Sequence, residues 1–318
     1  MKEQLEAVLR PELGDVVVEN LRALTGGASR TTWAFDAVAD GRRSLILRTG
    51  PPDDIHASMQ LEAAVQQRAA AAGAPVPHIV TADNSTAALG NPYLICDAID
   101  GETIVRRIYR MLDEAGRARL LEQCAQALAA IHRADPSGLG LAEADQLAEW
   151  RDRLDEMGDT TATFEWAFRW LSANRPSPSP HVLVHGDFRM GNLIVDENGL
   201  AAVLDWELVH TGEVYEDLAW FCIRAWRFGT AEDLGAGGLG SVESFLAAYE
   251  AASGTGLDRD VFRWWLTVAT LRWGVICRFQ AERHLSGMTP SVELAAIGRR
   301  VAETEWDVLA LLTGGGPR

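Results

Sequence analysis

Three short apolar segments at residues 181–206 interrupt an otherwise helical region, which restricts the chain to folds that set a small sheet among helices. The segments are 182–184, 193–195 and 202–204. Asn198-Gly199, between the second and the third, is a strong signal for a tight hairpin turn. Rigid strands hold the loops at their ends, and functional residues concentrate in such loops. We therefore expect function at the ends of these strands, which we place at one end of a single small sheet.

The rest of the chain divides into a strand-rich part and a helical part. After residue 111, apolar residues recur at the helical spacing; the predicted helices are 112–132, 144–156, 163–173, 215–227, 242–252, 258–282 and 291–312. The first hundred residues instead predict strands, separated by turn residues, and one inserted helix. The strands lie near 16–18, 31–37, 44–47, 78–82 and 93–96, the inserted helix at 57–72, and an amphipathic helix at 1–10.

This order predicts an α+β fold with two lobes. We assign residues 1–96 to a small five-stranded N-terminal lobe, residues 97–103 to a hinge, and residues 104–318 to a larger, mostly helical C-terminal lobe. A chain of 318 residues is long enough to bury a sizeable core in either one large domain or two lobes.

Charge and composition exclude several classes of partner. The formal net charge of −16 argues against non-specific binding to nucleic acid or to an anionic membrane. No window of 18 apolar residues occurs, so we expect no membrane span. The four cysteines are far apart and lie in apolar stretches, which indicates buried free thiols and a cytoplasmic protein. Lys2 is the only lysine, so any internal cation must be arginine.

Polar residues at the strand ends of this segment suit phosphoryl transfer. Asp187 and Asn192 lie five positions apart in one loop, and Asp205 follows the third strand. Carboxylate and amide oxygens are the ligands that Mg²⁺ prefers. Asp187 is placed to accept the proton of an attacking hydroxyl, and its spacing to Asn192 equals that of the kinase pattern D-x-x-x-x-N. Glu207 is either a structural partner or a second metal ligand.

The stretches HGDFRMGN and LDWE, at residues 185–192 and 204–207, resemble the aminoglycoside phosphotransferase and choline kinase-like family. The resemblance covers nearly the whole chain. It implies a bilobal protein-kinase-like fold, with Asp187 as the catalytic base and Asn192 and Asp205 as magnesium ligands. Gly186 stands where protein kinases carry arginine, which points to small-molecule kinases. The stretches LRTGPP, ALAAIHRADP and YEAASG resemble the kinase-like domains that are fused to acyl-CoA dehydrogenases.

Two further residues near Asp187 take their expected roles from the same resemblance. Arg189 lies where protein kinases place a phosphate-contacting lysine, and a surface salt bridge is the alternative. Asp217 matches an acidic position that recurs in the family, where it caps or braces the catalytic loop. We expect His185 to pack and to orient that loop.

The N-terminal lobe offers a set of ATP-binding candidates. Gly26, Gly27 and Ser29 lie in the turn between the first two strands, where backbone N–H groups can approach phosphates; a plain hairpin turn is the alternative. Arg48 stands where kinases carry their phosphate-anchoring lysine, and arginine retains the charge. We expect Glu62 to pair with Arg48, the alternative being a solvated helix charge. Backbone groups of the hinge, from Asp97 to Ile99, are expected to receive adenine.

These observations predict a kinase that uses ATP and Mg²⁺ and acts on a hydroxyl of a small molecule. The acceptor is left open among aminoglycosides, amino alcohols such as choline, and hydroxyacyl-CoA, and so is the oligomeric state. Two alternatives belong to other classes. A nucleotide-binding pseudokinase is favoured only by Arg48, and a metal-dependent hydrolase would use the same acidic cluster without nucleotide.

Overall fold

A five-stranded antiparallel sheet, with an α-helix against each of its two faces, forms the first hundred residues. The computed structural model describes residues 1–24, 30–51, 56–143 and 145–314. The elements are α1 (Lys2–Leu13), β1 (Val17–Leu24), β2 (Thr31–Val38), β3 (Arg42–Thr49), α2 (Met59–Ala71), β4 (Ile79–Asp83) and β5 (Tyr93–Asp97). The strand order is β1-β2-β3-β5-β4. The predicted strands are confirmed, although β1 lies mostly after 16–18.

Alternation along β3 decides which helix each of its side chains meets. Leu45 and Leu47 are buried in the cluster that α1 covers. Because successive strand residues point to opposite faces, Ile46 and Arg48 face the other way. Ile46 packs in the cluster formed with α2. Arg48 is therefore directed toward α2, where it meets Glu62.

The remainder of the chain is a helical bundle that contains two short antiparallel pairs of strands. Its helices are α3 (Val105–Met111), α4 (Glu114–Arg133), α5 (Gln146–Glu156), α6 (Ala162–Ala173), α7 (Val214–Cys222), α8 (Val242–Ser253), α9 (Arg259–Leu285), α10 (Val292–Gly298) and α11 (Val301–Leu312). Its strands are β6 (Val182–Val184), β7 (Leu193–Asp196), β8 (Gly199–Val203) and β9 (His210–Gly212). The large core centres on α4, α7 and α9, and includes Val65 and Ala69 of α2.

The prediction of a single small sheet is wrong. β7 pairs with β8 through the predicted Asn198-Gly199 hairpin, but β6 pairs with β9, a strand that the sequence did not indicate. His210–Gly212 is only three residues long and too short for a periodicity signal. The loops that follow β6 and β8 are joined instead by a hydrogen bond from the Leu204 N–H to the Asn192 carbonyl, 2.8 Å long.

Three helix predictions also change. The helix expected at 215–227 ends at Cys222, because buried Ile223 takes an extended conformation before a 3₁₀ turn at Arg224–Arg227. The helix expected at 291–312 divides into α10 and α11, and Gly298 lies so close to Ala281 of α9 that a β-carbon there would be 2.5 Å away. Helix α3 was not predicted.

Burial agrees with the composition argument. All four cysteines are buried free thiols. Within the described ranges, no helix combines the length and the hydropathy that crossing a membrane requires.

Candidate active site

The loop between β6 and β7 begins with a glycine that no other residue can replace without strain. Gly186 has φ +82°, and a β-carbon at this position would lie 2.4 Å from the Leu208 carbonyl oxygen. An L-residue is disfavoured in this left-handed conformation, and the close carbonyl leaves no room for a side chain. The glycine therefore lets the loop carrying Asp187 pack directly against the loop that follows Asp205.

Asp187 is fixed by three side chains. Its Oδ1 accepts a hydrogen bond of 2.7 Å from Nε1 of Trp220, and its Oδ2 accepts one of 2.7 Å from Nδ2 of Asn192. Nε of Arg189 lies 3.1 Å from both oxygens. The Asp187 side chain is 16% exposed. The carboxylate is thus held in one orientation and still reaches solvent.

A buried acid holds the backbone of this loop. Asp217 on α7 accepts hydrogen bonds from the N–H groups of His185 (2.7 Å) and Gly186 (2.9 Å), and His132 lies 3.2 Å away. Burial alone would raise the pKa of Asp217, but the hydrogen bond and charge of His132 and the hydrogen bond from the His185 backbone hold it below its ordinary value. His132 continues to the hydroxyl of Tyr249 at 2.8 Å. Asp217 therefore braces the loop, as expected.

His185 packs inside the protein and is not placed as a base. Its ring is fully buried, with Nε2 3.0 Å from the Leu204 carbonyl and the ring plane against Trp206. Burial lowers the pKa of His185 and favours the neutral ring. The residue links the segment that leads into Asp205 to the loop that carries Asp187.

Asp205 lies across from Asp187 and has an unusual backbone conformation. It follows β8 with φ +66°, a left-handed conformation that non-glycine residues seldom adopt. Nη2 of Arg48 donates a hydrogen bond of 2.9 Å to its Oδ1. The amide nitrogen of Asn192 donates to Asp187. Among the described residues, the amide oxygen of Asn192 accepts no hydrogen bond.

Arg48 belongs to a buried ion network. Its Nη1 donates a hydrogen bond of 2.9 Å to Oε2 of Glu62, so the predicted pair forms. Glu62 is fully buried. Burial alone would lower the pKa of Arg48, but the charges of Glu62 and Asp205 raise it, so Arg48 keeps its proton.

Arg30 is a member of this network that sequence reasoning missed. Its Nη1 lies 2.6 Å from Oε1 of Glu62, and its Nε lies 3.6 Å from Glu207. Its Nη2 donates to the Ala57 carbonyl at 2.9 Å. A lone arginine that follows a Gly-Gly pair in the sequence carries no signal for burial. Glu207 thus lies within ion-pair distance of Arg30, which is the structural role of the two that we left open, and its role as a metal ligand stays a prediction.

The structure also describes Arg189 and the residues predicted to form the hinge. The Asp97 N–H donates to the His78 carbonyl at 3.0 Å, and its carboxylate pairs with Arg43. The backbone of Ile99 makes no hydrogen bond to another described residue. Gly26, Gly27 and Ser29 lie outside the described residues. The guanidinium of Arg189 lies over the Trp226 ring, 4.9 Å from its centroid, and so joins an aromatic surface.

The donor set suits a hard divalent cation. Within the described ranges there is no cluster of three or more His, Cys, Asp or Glu side chains arranged to hold a metal. Asn192 and Asp205 offer oxygens from two loops that a hydrogen bond joins. Two protein oxygens, completed by water and phosphate, are what Mg²⁺ usually takes from a nucleotide-binding protein.

Residues 20–265 match the model of a family described as the phosphotransferase enzyme family, and this range contains every site residue named above. The chain belongs to that family. Solved structures agree on the bilobal kinase-like fold. A Ralstonia eutropha JMP134 protein assigned provisionally to the aminoglycoside phosphotransferases superposes with a TM-score of 0.77, at 22% identity, over 97% of this chain and 98% of that one.

A second solved structure is a thermostable mutant of aminoglycoside phosphotransferase APH(4)-Ia, in a ternary complex with AMP-PNP and hygromycin B. It has a TM-score of 0.66 at 19% identity, with 99% of each chain covered. At this identity, the likeness shows the fold alone.

The curated relatives are longer proteins. Acyl-CoA dehydrogenase family member 10 of Mus musculus is 26% identical over 307 residues, which are 88% of this chain and 28% of that protein. Family member 11 of Homo sapiens is 24% identical over 329 residues, 94% of this chain and 42% of that protein. The chain therefore spans less than half the length of either relative, and it matches the group that LRTGPP and the other stretches indicated.

Proposed function

We propose that this chain is a small-molecule kinase, which transfers the γ-phosphoryl group of ATP to a hydroxyl with the help of Mg²⁺. The observation that carries the proposal is the juxtaposition of two acidic loops with one cation. Asp187 is oriented by three side chains, and Asp205 is hydrogen-bonded to Arg48 from the opposite lobe. Family membership supports the same class of reaction.

Asp187 is the proposed base. Its carboxylate would accept the proton of the acceptor hydroxyl, whose oxygen forms a bond to the γ-phosphorus while the bond to the bridging oxygen of ADP breaks. Trp220 and Asn192 hold the carboxylate in place for that proton. Catalysis of this kind depends mainly on positioning and on neutralising charge. Arg189 lies close enough to Asp187 to contact the transferred phosphoryl group or to orient the base.

Asn192 and Asp205 are the proposed magnesium ligands. The cation, when bound, neutralises phosphate charge during transfer. Arg48, held by Glu62, would contact the ATP phosphates from the other lobe, together with Gly26, Gly27 and Ser29. We place adenine against Ile99, whose backbone groups are free, and against the Asp97 carbonyl.

The pseudokinase alternative rested on arginine in place of lysine at position 48. That arginine forms the ion pair with Glu62 that an anchoring cation needs, and its charge is retained. Nothing in the geometry favours loss of catalysis. A metal-dependent hydrolase is likewise not favoured, because it would leave the cation network of the opposite lobe without a role.

The first experiment measures ADP released from Mg·ATP with a panel of hydroxyl acceptors: aminoglycosides, choline, homoserine, hydroxy acids and hydroxyacyl-CoA thioesters. Acceptor-dependent ADP supports the proposal and identifies the acceptor class. ATP hydrolysis that no acceptor stimulates, in a protein that binds Mg·ATP, would favour the pseudokinase. Phosphate or ester turnover without ATP would favour the hydrolase.

A further inference from the structure

A cavity of about 530 Å³ lies beside the two acidic loops. It lies between the loop after Asp205 and helices α5 and α9. The start of α2 and residues 140–142 close its other sides. Its lining includes Leu208, which packs against Gly186 at the start of the catalytic loop. The cavity therefore adjoins the site of phosphoryl transfer.

The walls of the cavity are mainly apolar, and only a few charged side chains line it. The large apolar side chains that line it include Leu61, Trp150, Leu208, Val275, Ile276 and Phe279. Two acids also line it. Glu207 is paired with Arg30, and Glu149 is exposed to solvent. The arginines of the lining are Arg272 and the half-buried Arg153, and neither forms an ion pair with another described residue.

Arg272 is the unusual group of this cavity. It is 8% exposed, and its guanidinium lies between two tryptophan rings, 4.3 Å from the centroid of Trp220 and 5.4 Å from that of Trp150. Its Nη2 donates one hydrogen bond of 2.9 Å, to the Gly186 carbonyl. Within the described part of the chain, Nε and Nη1 have no hydrogen-bond acceptor.

Burial opposes the charge of Arg272, and four acids stabilise that charge from a distance. Asp187, Glu216 and Asp217 are already bonded to other groups, and Glu149 is exposed to solvent. None of them approaches to ion-pair distance, because Asp187 is bonded to Trp220, Glu216 to His210, and Asp217 to the catalytic loop. Arginine stays protonated in proteins and binds carboxylates or phosphates through its fork. A buried, incompletely bonded arginine beside an apolar cavity therefore favours an anionic ligand.

We propose that this cavity holds the acceptor, and that Arg272 binds an anionic group of that acceptor while the apolar walls hold the rest. The proposal rests on the kinase function proposed above, and it names the acceptor as an anionic hydroxyl compound with an apolar body. A polycationic aminoglycoside would meet the wrong charge at Arg272. The anionic group is either the carboxylate of a free hydroxy acid or a phosphate of a carrier thioester.

Binding is tested without catalysis, so that the result does not depend on turnover. Octanoate and its neutral counterpart octanamide are titrated calorimetrically into the wild type, Arg272→Met and Arg272→Lys. Arg278→Met is the matched control, because Arg278 lies on the same helix, is ion-paired to Asp159 and does not line the cavity. A charge-assisted hydrogen bond predicts that octanoate binds roughly 10- to 100-fold more tightly than octanamide in the wild type and in the control.

Arg272→Met should abolish this preference, and Arg272→Lys should retain part of it. A preference for octanoate that survives in Arg272→Met would overturn the proposal. Equal affinity for octanoate and octanamide, together with thioester turnover that Arg272→Met leaves unchanged, would overturn it as well. If Arg272→Met does not fold, the relative affinities for octanoate and octanamide in the wild type and in Arg272→Lys still test whether Arg272 binds the anion.

A second set of measurements separates the two sources of the anion. Hydroxyoctanoates with the hydroxyl at different carbons, their amides and their CoA thioesters are compared as acceptors with Mg·ATP. Loss of thioester turnover but not of free-acid turnover in Arg272→Met identifies a phosphate as the bound anion, and the reverse identifies the carboxylate. If the protein phosphorylates an aminoglycoside, and Arg272→Met does so at the same rate, this inference is overturned. The kinase function would still be supported. Carboxylate binding through Arg272 in a protein that transfers no phosphoryl group would leave the anion site standing and contradict the kinase.

Discussion

Arg48 on β3 donates a hydrogen bond of 2.9 Å to Asp205, a residue of the other lobe that lies 157 positions later in the chain. The same guanidinium donates to Glu62 on α2. A single arginine thus joins a strand, a helix and the loop that follows β8. Because both partners are acids on different elements, the relative position of these elements depends on the charge of Arg48.

Removing the charge of Glu62 should destabilise the protein strongly. Glu62→Gln leaves Arg30 and Arg48 without their buried counter-charge, and breaking a buried ion pair on one side costs roughly 3 to 5 kcal/mol. The free energy of unfolding, measured by urea titration, should fall by about that amount. Glu19→Gln removes an exposed partner of Arg42 and should cost less than about 1 kcal/mol. Equal effects of the two variants would contradict the network.

Gly186→Ala should destabilise more than an alanine at an open left-handed glycine. The β-carbon would overlap the Leu208 carbonyl at a φ of +82°. Strain and overlap together predict a loss of roughly 2 to 5 kcal/mol in the free energy of unfolding. Gly158 has φ +64° with no neighbouring atom within 4 Å, so Gly158→Ala measures the conformational cost alone. A Gly186→Ala variant no less stable than Gly158→Ala would show that the two loops can separate.

Asp217→Asn should lower turnover through the position of the catalytic loop. The amide can accept only one of the two backbone hydrogen bonds from His185 and Gly186, so the loop that carries Asp187 loses a constraint. We expect kcat to fall at least about tenfold with the KM for ATP little changed, and the free energy of unfolding to fall by roughly 1 to 3 kcal/mol. A change in the KM for ATP alone would indicate a different role.

The same residue should also give the protein an acid-sensitive component of stability. Since the folded pKa of Asp217 lies below its ordinary value, its contribution is present above about pH 4 and is lost as the pH falls through the folded pKa. The stability difference between the wild type and Asp217→Asn should therefore shrink on acidification.

His210 predicts a pH dependence of the opposite sign. Its Nδ1 lies 2.9 Å from the Leu208 carbonyl and its Nε2 2.9 Å from Glu216, so both ring nitrogens donate when the ring is charged. Burial alone would lower the pKa of His210, and nearby Arg272 opposes the charge, but the hydrogen bond and charge of Glu216 raise the pKa above 6.5.

A raised pKa in the folded state gives stability that is complete below about pH 6.5 and is lost as the pH rises through the folded pKa. The stability difference between the wild type and His210→Gln should therefore be larger at pH 6 than at pH 9. Unfolding titrations at both pH values measure it. A difference that grows toward pH 9 would mean that the buried ring is neutral.

The sequence was sufficient for the elements with long, strong patterns. The five strands, most of the helices and the Asn198-Gly199 hairpin follow from periodicity and turn chemistry, which are local properties. β9 was missed because its three residues carry no periodic signal, and the pairing of β6 with β9 depends on contacts distant in sequence. The break of α7 at Ile223 was missed because apolar periodicity continues past it.

The site was predictable where spacing and residue type carry the chemistry. Asp187, Asn192 and Asp205 were indicated by their positions at strand ends and by their spacing, and the Arg48–Glu62 pair by the resemblance to kinases. Arg30 and Arg272 were not predictable, since each is a single arginine whose burial results from tertiary packing. Their roles emerge only when the acids and rings around them are seen together.

The most direct test of the account compares the wild type with Asp187→Asn, both with saturating acceptor and Mg·ATP. Loss of a general base should lower kcat for acceptor-dependent ADP release by roughly 10²- to 10⁴-fold, while the affinity for Mg·ATP, titrated separately, stays within about threefold. That result would support Asp187 as the base of a phosphotransferase. Acceptor-dependent turnover that survives in Asp187→Asn would contradict the central claim.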